Sequence, residues 1–157
     1  MSHPVHLVVG ATGAVGSALA RRLAARGDAL VLLARDGARL APLATELGAL
    51  PVVGDATVPA DVDAAVAAAV ERFGRLDGAA NCVGSVLLKP AHLTKDDEFR
   101  QVLETNLMSS FFLLRAAVRA FGPDGGSLVF CSTAAAKAGL PNHEAIAAAK
   151  GGIEGMA

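Results

Sequence analysis

Tryptophan and tyrosine are absent from the 157 residues, and six phenylalanines leave the aromatic content at 4%. So few rings give no stacking platform for bases. The 14 basic and 15 acidic residues nearly cancel, at a net charge of −1 with no Lys/Arg run, so nucleic acid is excluded as an expected partner. Only two cysteines are present, Cys82 and Cys131, each ending an apolar, strand-like run. The reading is free buried thiols, neither a disulfide nor a metal site. His3, His6 and His92 are scattered without ligand-like spacing, and no metal is expected. No apolar run reaches the length of a membrane span, and Met1-Ser2-His3-Pro4 meets the first strand without a charged and then apolar leader, which reads as a soluble, cytoplasmic chain with no membrane partner.

What the chain does have is core material, 53% hydrophobic residues, enough for one domain over residues 1–157 with no visible linker. Its organising stretch is Val5 to Gly16, V-H-L-V-V-G-A-T-G-A-V-G, an apolar run ending in Gly10, Gly13 and Gly16 and followed by a helix-forming segment. Glycine permits positive φ and close approach of a ligand to the backbone, while the free N–H groups of a helix's first turn attract a pyrophosphate. The turn is a candidate dinucleotide site, although a structural turn before a helix has the same pattern.

Further along, the pattern predicts a helix over about 14–26 with Gly27 as its cap, a buried strand over 29–34, a helix to about Leu47, and a strand over 51–54 closed by Asp55. Thr57 is placed as the cap of the next helix, with Pro59 in its first turn. Asp77 to Val83 reads as the fourth strand, 84–93 as a loop, and Thr94-Lys95-Asp96-Asp97 as a capping-box-like start to one long helix reaching about Phe121. Gly122 to Gly126 breaks it; Ser127 to Cys131 is a fifth strand, 132–142 a loop, and His143 opens a last helix. Strands that are apolar throughout and alternate with helices indicate an α/β fold: a doubly wound, Rossmann-like parallel sheet in three αβα layers, covered on both faces.

Six pieces in register now carry a family resemblance: G-A-T-G-A-V-G at 10–16, Asp55, N-C-V-G at 81–84, T-N-L at 105–107, G-S-L-V-F-C-S-T at 126–133 and A-A-A-K-G-G at 147–152. Together they resemble the short-chain dehydrogenase/reductase family, from Val5 to the last residue. The resemblance implies NAD(P)-dependent hydride transfer between nicotinamide and a carbonyl or alcohol of a small molecule. It assigns cofactor binding to Gly10, Thr12, Gly13, Val15 and Gly16, then to Asp55 and Ala56 near the adenine, and to Asn81, Cys82 and Val83 beside the ribose. Bland alternatives stand next to these: Asp55 as a turn acid, Asn81 as a strand end bonding local backbone. The glycine pattern departs from the family's T-G-x-x-x-G-x-G, with Val9 for the threonine, Ala14 for the middle glycine and Gly13 added.

At the end of the second strand, where an acid would take the ribose hydroxyl of NAD, the chain has Ala34 and then Arg35. A small residue plus a guanidinium suits a 2′-phosphate, so NADP is favoured over NAD. The alternative is an ordinary solvated arginine opening a helix.

The resemblance also implies a catalytic set. Lys150 matches the family lysine, which also holds the nicotinamide ribose; Asn106 matches the asparagine; and Thr133, with Ser132 beside it, stands for the serine. The tyrosine acid, however, is Ile146. Isoleucine has no proton to give, and no tyrosine exists elsewhere to replace it. Ile146 can instead simply pack, since it shares a helix face with Lys150 and Ile153. His143 or Glu144 is a candidate relocated acid, with an ordinary helix-opening residue as the alternative for His143. Because family members continue beyond this helix, the sequence reads either as a fragment or as a domain whose fifth strand is an exposed edge. The resemblance implies a homo-oligomer through the last two helices, with Gly151, Gly152 and Gly155 permitting close packing. Two functions therefore stand: an NADP-dependent oxidoreductase, and a catalytically impaired nucleotide-binding sensor or interaction protein on the same fold.

Overall fold

The computed structural model describes residues 3–157; Met1 and Ser2, the start of the expected leaderless N-terminus, lie outside the described residues. Strand β1 (Val5–Val9) is the middle of a five-stranded parallel sheet, with β2 (Ala29–Ala34) and β3 (Leu50–Val53) on one side and β4 (Gly78–Asn81) and β5 (Ser127–Phe130) on the other. The order β3-β2-β1-β4-β5 reverses direction between β1 and β4. Val9 pairs with Leu33 on one neighbour and with Asn81 on the other, so the carboxyl ends of three strands finish level. Open parallel sheets bind their ligands at such a switch point.

Helices α1 (Ala14–Ala25) and α2 (Gly37–Leu47) cover one sheet face over Val8, Leu30 and Leu32. Helices α3 (Pro59–Phe73) and α5 (Ser109–Ala120) cover the other over Leu7, Val9, Val31 and Leu33. This is the three-layer αβα arrangement the sequence predicts. Successive residues of β1 and β2 are buried on opposite faces, each aliphatic side chain contributing roughly 1.5–3 kcal/mol relative to exposure, which is why these runs are continuous and not alternating.

The outer strands depart from that expectation. In β5 only Leu128 and Phe130 pack on the α3/α5 side, while Ser127 is exposed and Val129 stands 57% exposed on the other face. In β3, Pro51 and Val53 are exposed, and a proline is tolerated on an edge strand because it has no ladder hydrogen to donate there.

Local capping also differs from the sequence reading. Thr57 caps nothing: its N–H and hydroxyl both donate to Asp55 Oδ1 (2.9 and 2.8 Å), and α3 starts at Pro59 after Val58. Gly27, at φ +86°, follows the capping residue Arg26 instead of being it. Asp77 precedes β4, its carboxylate accepting the Val5 N–H at 2.8 Å. Helix α4 (Asp96–Leu103) starts after Lys95, whose N–H is taken by the Glu98 carboxylate at 2.8 Å, while the Thr94 hydroxyl turns back to the Pro90 carbonyl. The expected single helix to Phe121 is three pieces, α4, a π-helical turn at Glu104–Met108 and α5. The expected loop after β5 holds a short helix α6 (Ala135–Ala138), and α7 (Glu144–Met156) follows.

Candidate functional site

Two adjoining clefts lie over the carboxyl ends of the strands. The glycine turn forms one wall of the first. Gly10 takes φ +77° and its N–H donates to the Leu33 carbonyl at 2.9 Å, tying the end of β1 to β2; Gly13 donates to the Gly10 carbonyl at 3.0 Å. A Cβ on Gly16 would stand 2.3 Å from the Gly10 oxygen, and one on Gly10 would stand 2.9 Å from Val83 Cγ2. Only hydrogen fits at these two positions. At Gly13 the nearest atom would be 3.3 Å away, so this added glycine is the permissive one. Helix α1 begins after Gly13 with no side-chain cap and no acid in its first turn, leaving its N–H groups for an outside acceptor.

This cleft, of about 760 Å³, brings together Gly10, Thr12 and Gly13, Arg35, Asp55 and Ala56, and Cys82 and Val83. Four sequence-predicted cofactor residues do not line it, of which Lys150 lines the adjoining cleft instead. Gly16 is buried beneath the turn and Val15 points away at 60% exposure, because the helix has already rotated past the cleft. Asn81 is buried below the floor: its amide donates to the Ser109 and Ser110 hydroxyls (2.9 and 3.0 Å) and accepts the Val83 N–H (3.0 Å). It therefore shapes the floor by holding the β4 exit against α5.

Arg35 is 80% exposed on its side chain, with Nη1 3.8 Å from Asp55 Oδ2, a contact of little energetic weight in water. Burial pushes the Asp55 carboxyl up, but the Thr57 N–H and hydroxyl, with Arg35, hold it below the ordinary carboxylate value. Sequence reasoning missed Arg39, which also lines the cleft and donates from Nη2 to the Thr12 carbonyl at 2.9 Å, bracing the glycine turn. Its signal was a second arginine in the first turn of the helix after β2. Glu98 and Gln101 of α4, with Glu104 and Thr105 of the π turn, close the opposite wall and were not named as site residues; the polar face of α4 and the T-N-L motif were the signals available.

The second cleft, of about 350 Å³, shares Gly84, Ser85 and Val86 with the first. It collects Asn106, Ser132, Thr133, His143 and Lys150, all five expected catalytic residues, together with Ile146. Asn106 sits on the π turn, its oxygen accepting the Ser85 N–H (3.0 Å) and its nitrogen donating to Ser85 Oγ (2.9 Å) and the Val102 carbonyl (3.0 Å). Lys150 is only 7% exposed. Burial holds its amine below the ordinary lysine value, the nearby Cys131 thiol opposing this, and it forms no ion pair among the described residues. A Cβ on Gly84 would lie 3.2 Å from Asn106 Oδ1 and 3.7 Å from Lys150 Nζ, so the strand exit passes close to both side chains.

The two hydroxyls are not equivalent. Ser132 Oγ donates its hydrogen bond to the Glu154 carboxylate at 2.8 Å, whereas Thr133 Oγ1 accepts the Ala135 N–H at 3.3 Å and keeps its own O–H to donate. His143 Nδ1 lies 2.8 Å from the Pro141 carbonyl; a carbonyl only accepts, so Nδ1 carries a proton there. Ile146, 4% exposed, packs with Val102, Ala145 and Ala149. Cys131, expected buried, is exposed, and Cys82 is half-buried; both are free thiols. Among the described residues no acid, histidine and cysteine cluster could hold a metal, and no helix is long and apolar enough to cross a membrane.

Known proteins share this arrangement. Residues 10–157 match the family described as enoyl-(acyl carrier protein) reductase. A putative ketoacyl reductase of the granaticin polyketide synthase from Streptomyces violaceoruber is 35% identical over 98% of this chain and 59% of its own length. A trans-4-hydroxycyclohexanecarboxylate dehydrogenase from Sinomonas cyclohexanicum is 36% identical over 99% and 64%, and a 3beta-hydroxysteroid dehydrogenase from Mediterraneibacter gnavus is 33% identical over 97% and 57%. The chain thus spans about three fifths of the length of these relatives. Among solved structures, actinorhodin polyketide ketoreductase with NADPH superposes with a TM-score of 0.92 at 29% identity, covering 99% of this chain and 64% of that one. A short-chain dehydrogenase from Mycobacterium smegmatis gives 0.93 at 30% identity, over 99% and 68%. By the matched profile, by these relatives and by the superposed fold, the chain belongs to the short-chain dehydrogenase/reductase family.

Proposed function

We propose that the chain is the dinucleotide-binding domain of an NADP-dependent oxidoreductase, moving hydride between nicotinamide and a carbonyl or alcohol of a small molecule. The observation that carries this reading is the continuity of the two clefts through Gly84, Ser85 and Val86. The first runs from Arg35 and Asp55 past the glycine turn to Ser85, and the second holds Asn106, Thr133, His143 and Lys150. The residues fit the cofactor, since the glycine turn, packed so tightly at Gly10 and Gly16 that neither tolerates a Cβ, leads into a helix start with no side-chain cap, whose N–H groups suit a pyrophosphate.

In this reading the glycine turn and α1 hold the pyrophosphate, Asp55 and Ala56 border the adenine, and Arg35 with Arg39 faces a 2′-phosphate. Lys150 holds the nicotinamide ribose. The bound cofactor supplies the hydride. Thr133 donates a hydrogen bond to the substrate oxygen, and Asn106 fixes the β4 exit against the π turn. His143, which shares the smaller cleft with Ile146, is the residue that delivers the proton, from Nε2 of its doubly protonated ring, which is left neutral with Nδ1–H still on the Pro141 carbonyl. A homo-oligomer packing through α7 goes with this reading; open space surrounds Gly151 and Gly155, whereas Gly152 is already filled from within, its Cβ position 2.9 Å from Leu107. A cytoplasmic location is part of the same proposal.

Ile146 favours a second reading, a nucleotide-binding sensor that retains the cofactor site without hydride chemistry. Calorimetric titration with NADPH and NADH, on the native chain and on Arg35→Ala, tests both. The oxidoreductase reading expects NADPH bound well above NADH, with the preference lost in the variant, and expects His143→Gln to lower turnover in a pH–rate profile. NADPH binding without turnover on any carbonyl substrate favours the sensor. Binding of neither nucleotide overturns both.

A further inference from the structure

Neither cysteine has a part in the proposed chemistry, yet the sheet places them side by side. Asn81 of β4 pairs in register with Phe130 of β5, so the next residue on each strand, Cys82 and Cys131, leaves the sheet on the same face. That face is the one over which α1 and α2 pack, where Cys82 meets the apolar cluster. Neighbouring strands bring paired Cα atoms to about 5 Å, inside the range of roughly 4.4–6.8 Å that a disulfide spans. Both residues follow the last ladder pair, where the backbone is free of sheet hydrogen bonds between these two strands. Cys131 lies near enough to raise the Cys82 thiol, and both are free.

Their surroundings differ in a way that sets an order of events. Cys131 is exposed and lies within electrostatic reach of the buried Lys150 amine. Cys82 is half-buried in the floor of the larger cleft, and burial, with the neighbouring thiol, pushes it up to about 11. The thiolate is the species that peroxides oxidise, so the exposed thiol reacts first and the buried one is held in place as its partner.

We propose that Cys82 and Cys131 are a peroxide-responsive dithiol that closes to an intramolecular disulfide across the ends of β4 and β5. A hydroperoxide is the oxidant. It transfers one oxygen to the Cys131 sulfur, giving a sulfenic acid and releasing the reduced peroxide, which is water when the oxidant is hydrogen peroxide. The Cys82 sulfur then attacks that of Cys131; the S–O bond breaks, the S–S bond forms, and the hydroxyl departs with the Cys82 proton as a second water. A thiol reductant reverses the process. The bond links the floor of the larger cleft to the segment that carries Ser132 and Thr133.

The test is a peptide map of the full chain, treated with hydrogen peroxide, alkylated without reduction and digested. The expected product is one cross-linked pair containing Cys82 and Cys131, formed at a rate independent of protein concentration and lost on reduction. In Cys82→Ser, Cys131 is expected to stop at a sulfenic acid that a dimedone probe traps; in Cys131→Ser, Cys82 is expected to stay alkylatable over the same interval. Circular dichroism of both variants checks that they are folded. Cys131 driven to sulfinic acid in the native chain while Cys82 stays alkylatable, or cross-links only between chains, would overturn the proposal.

Discussion

Gly13 and Gly16 look alike in sequence, but the closest atom to an added Cβ is 3.3 Å away at one and 2.3 Å at the other. A contact of 2.3 Å with a backbone oxygen cannot be relieved by rotating a side chain. Gly16→Ala is therefore expected to shift the turn, lower stability by about 1–3 kcal/mol and weaken NADPH binding at least tenfold, whereas Gly13→Ala is expected to fold and bind nearly as the native chain does. Denaturant titration and calorimetry distinguish them. Lys150 makes a prediction with a sign. Its amine titrates below the ordinary lysine value because it is buried, so between the folded and unfolded values the unfolded chain holds the extra proton and stability rises with pH. Lys150→Met is expected to be more stable than the native chain at neutral pH and to lose that alkaline rise, while binding NADPH roughly tenfold or more weakly through the lost charged hydrogen bond. Ile146→Tyr places a phenol beside Lys150 in the smaller cleft; carbonyl reduction measured by NADPH consumption is expected to rise in this variant. At this scale the sequence was most legible where chemistry is local. The glycine turn stands where its spacing put it, and Asn106, Thr133 and Lys150, named through the family resemblance, line one cleft, but Arg39 and the polar face of α4 reach the larger cleft only through tertiary packing.

Among the elements, strand β4 is held at its entrance by a carboxylate. Asp77 accepts the N–H of Val5, a residue of β1, at 2.8 Å, and the Nε of Arg75 donates to it at 2.9 Å, while its own carbonyl accepts the Ser127 N–H at 3.0 Å. Three strands thus meet at one residue. The Arg75 guanidinium holds the carboxyl below its ordinary value, burial opposing and the Val5 N–H assisting. The stabilisation is therefore present above the unfolded carboxylate value and lost as pH falls through the lower, folded one. Asp77→Ala leaves the buried Val5 N–H without a partner and is expected to cost about 1–3 kcal/mol at neutral pH, with a shallower loss of stability on acidification, as urea midpoints at pH 7 and at about pH 3 will register. The boundaries of β1, α1, β2 and α2 were legible to within a few residues because turn chemistry and apolar runs coincide there. The π turn was not. T-N-L within an otherwise helical pattern gives no local sign that the helix widens by a residue, yet that widening seats Asn106 between Ser85 and Val102.

For the whole molecule, binding and stability are linked. A nucleotide that binds only the folded chain adds about 2.7 kcal/mol at a hundredfold excess over Kd, which for a domain of this size raises Tm by roughly 5–10 °C. A thermal-shift series is expected to show this for NADPH and a smaller rise for an equal concentration of NADH. The order of the sheet, β3-β2-β1-β4-β5, also has a consequence for synthesis. The strand at the centre of the finished sheet is made first, but one of its two sides is satisfied only by β4, with Val5 joined to Asp77 across 72 positions. While the ribosome adds the residues between β2 and β4, roughly two to ten seconds at ordinary elongation rates, the central strand V-H-L-V-V is an open edge on the nascent chain. For that interval its stickiest surface is the one the folded protein hides most completely, so the yield of folded protein is expected to depend on how quickly the fourth strand follows.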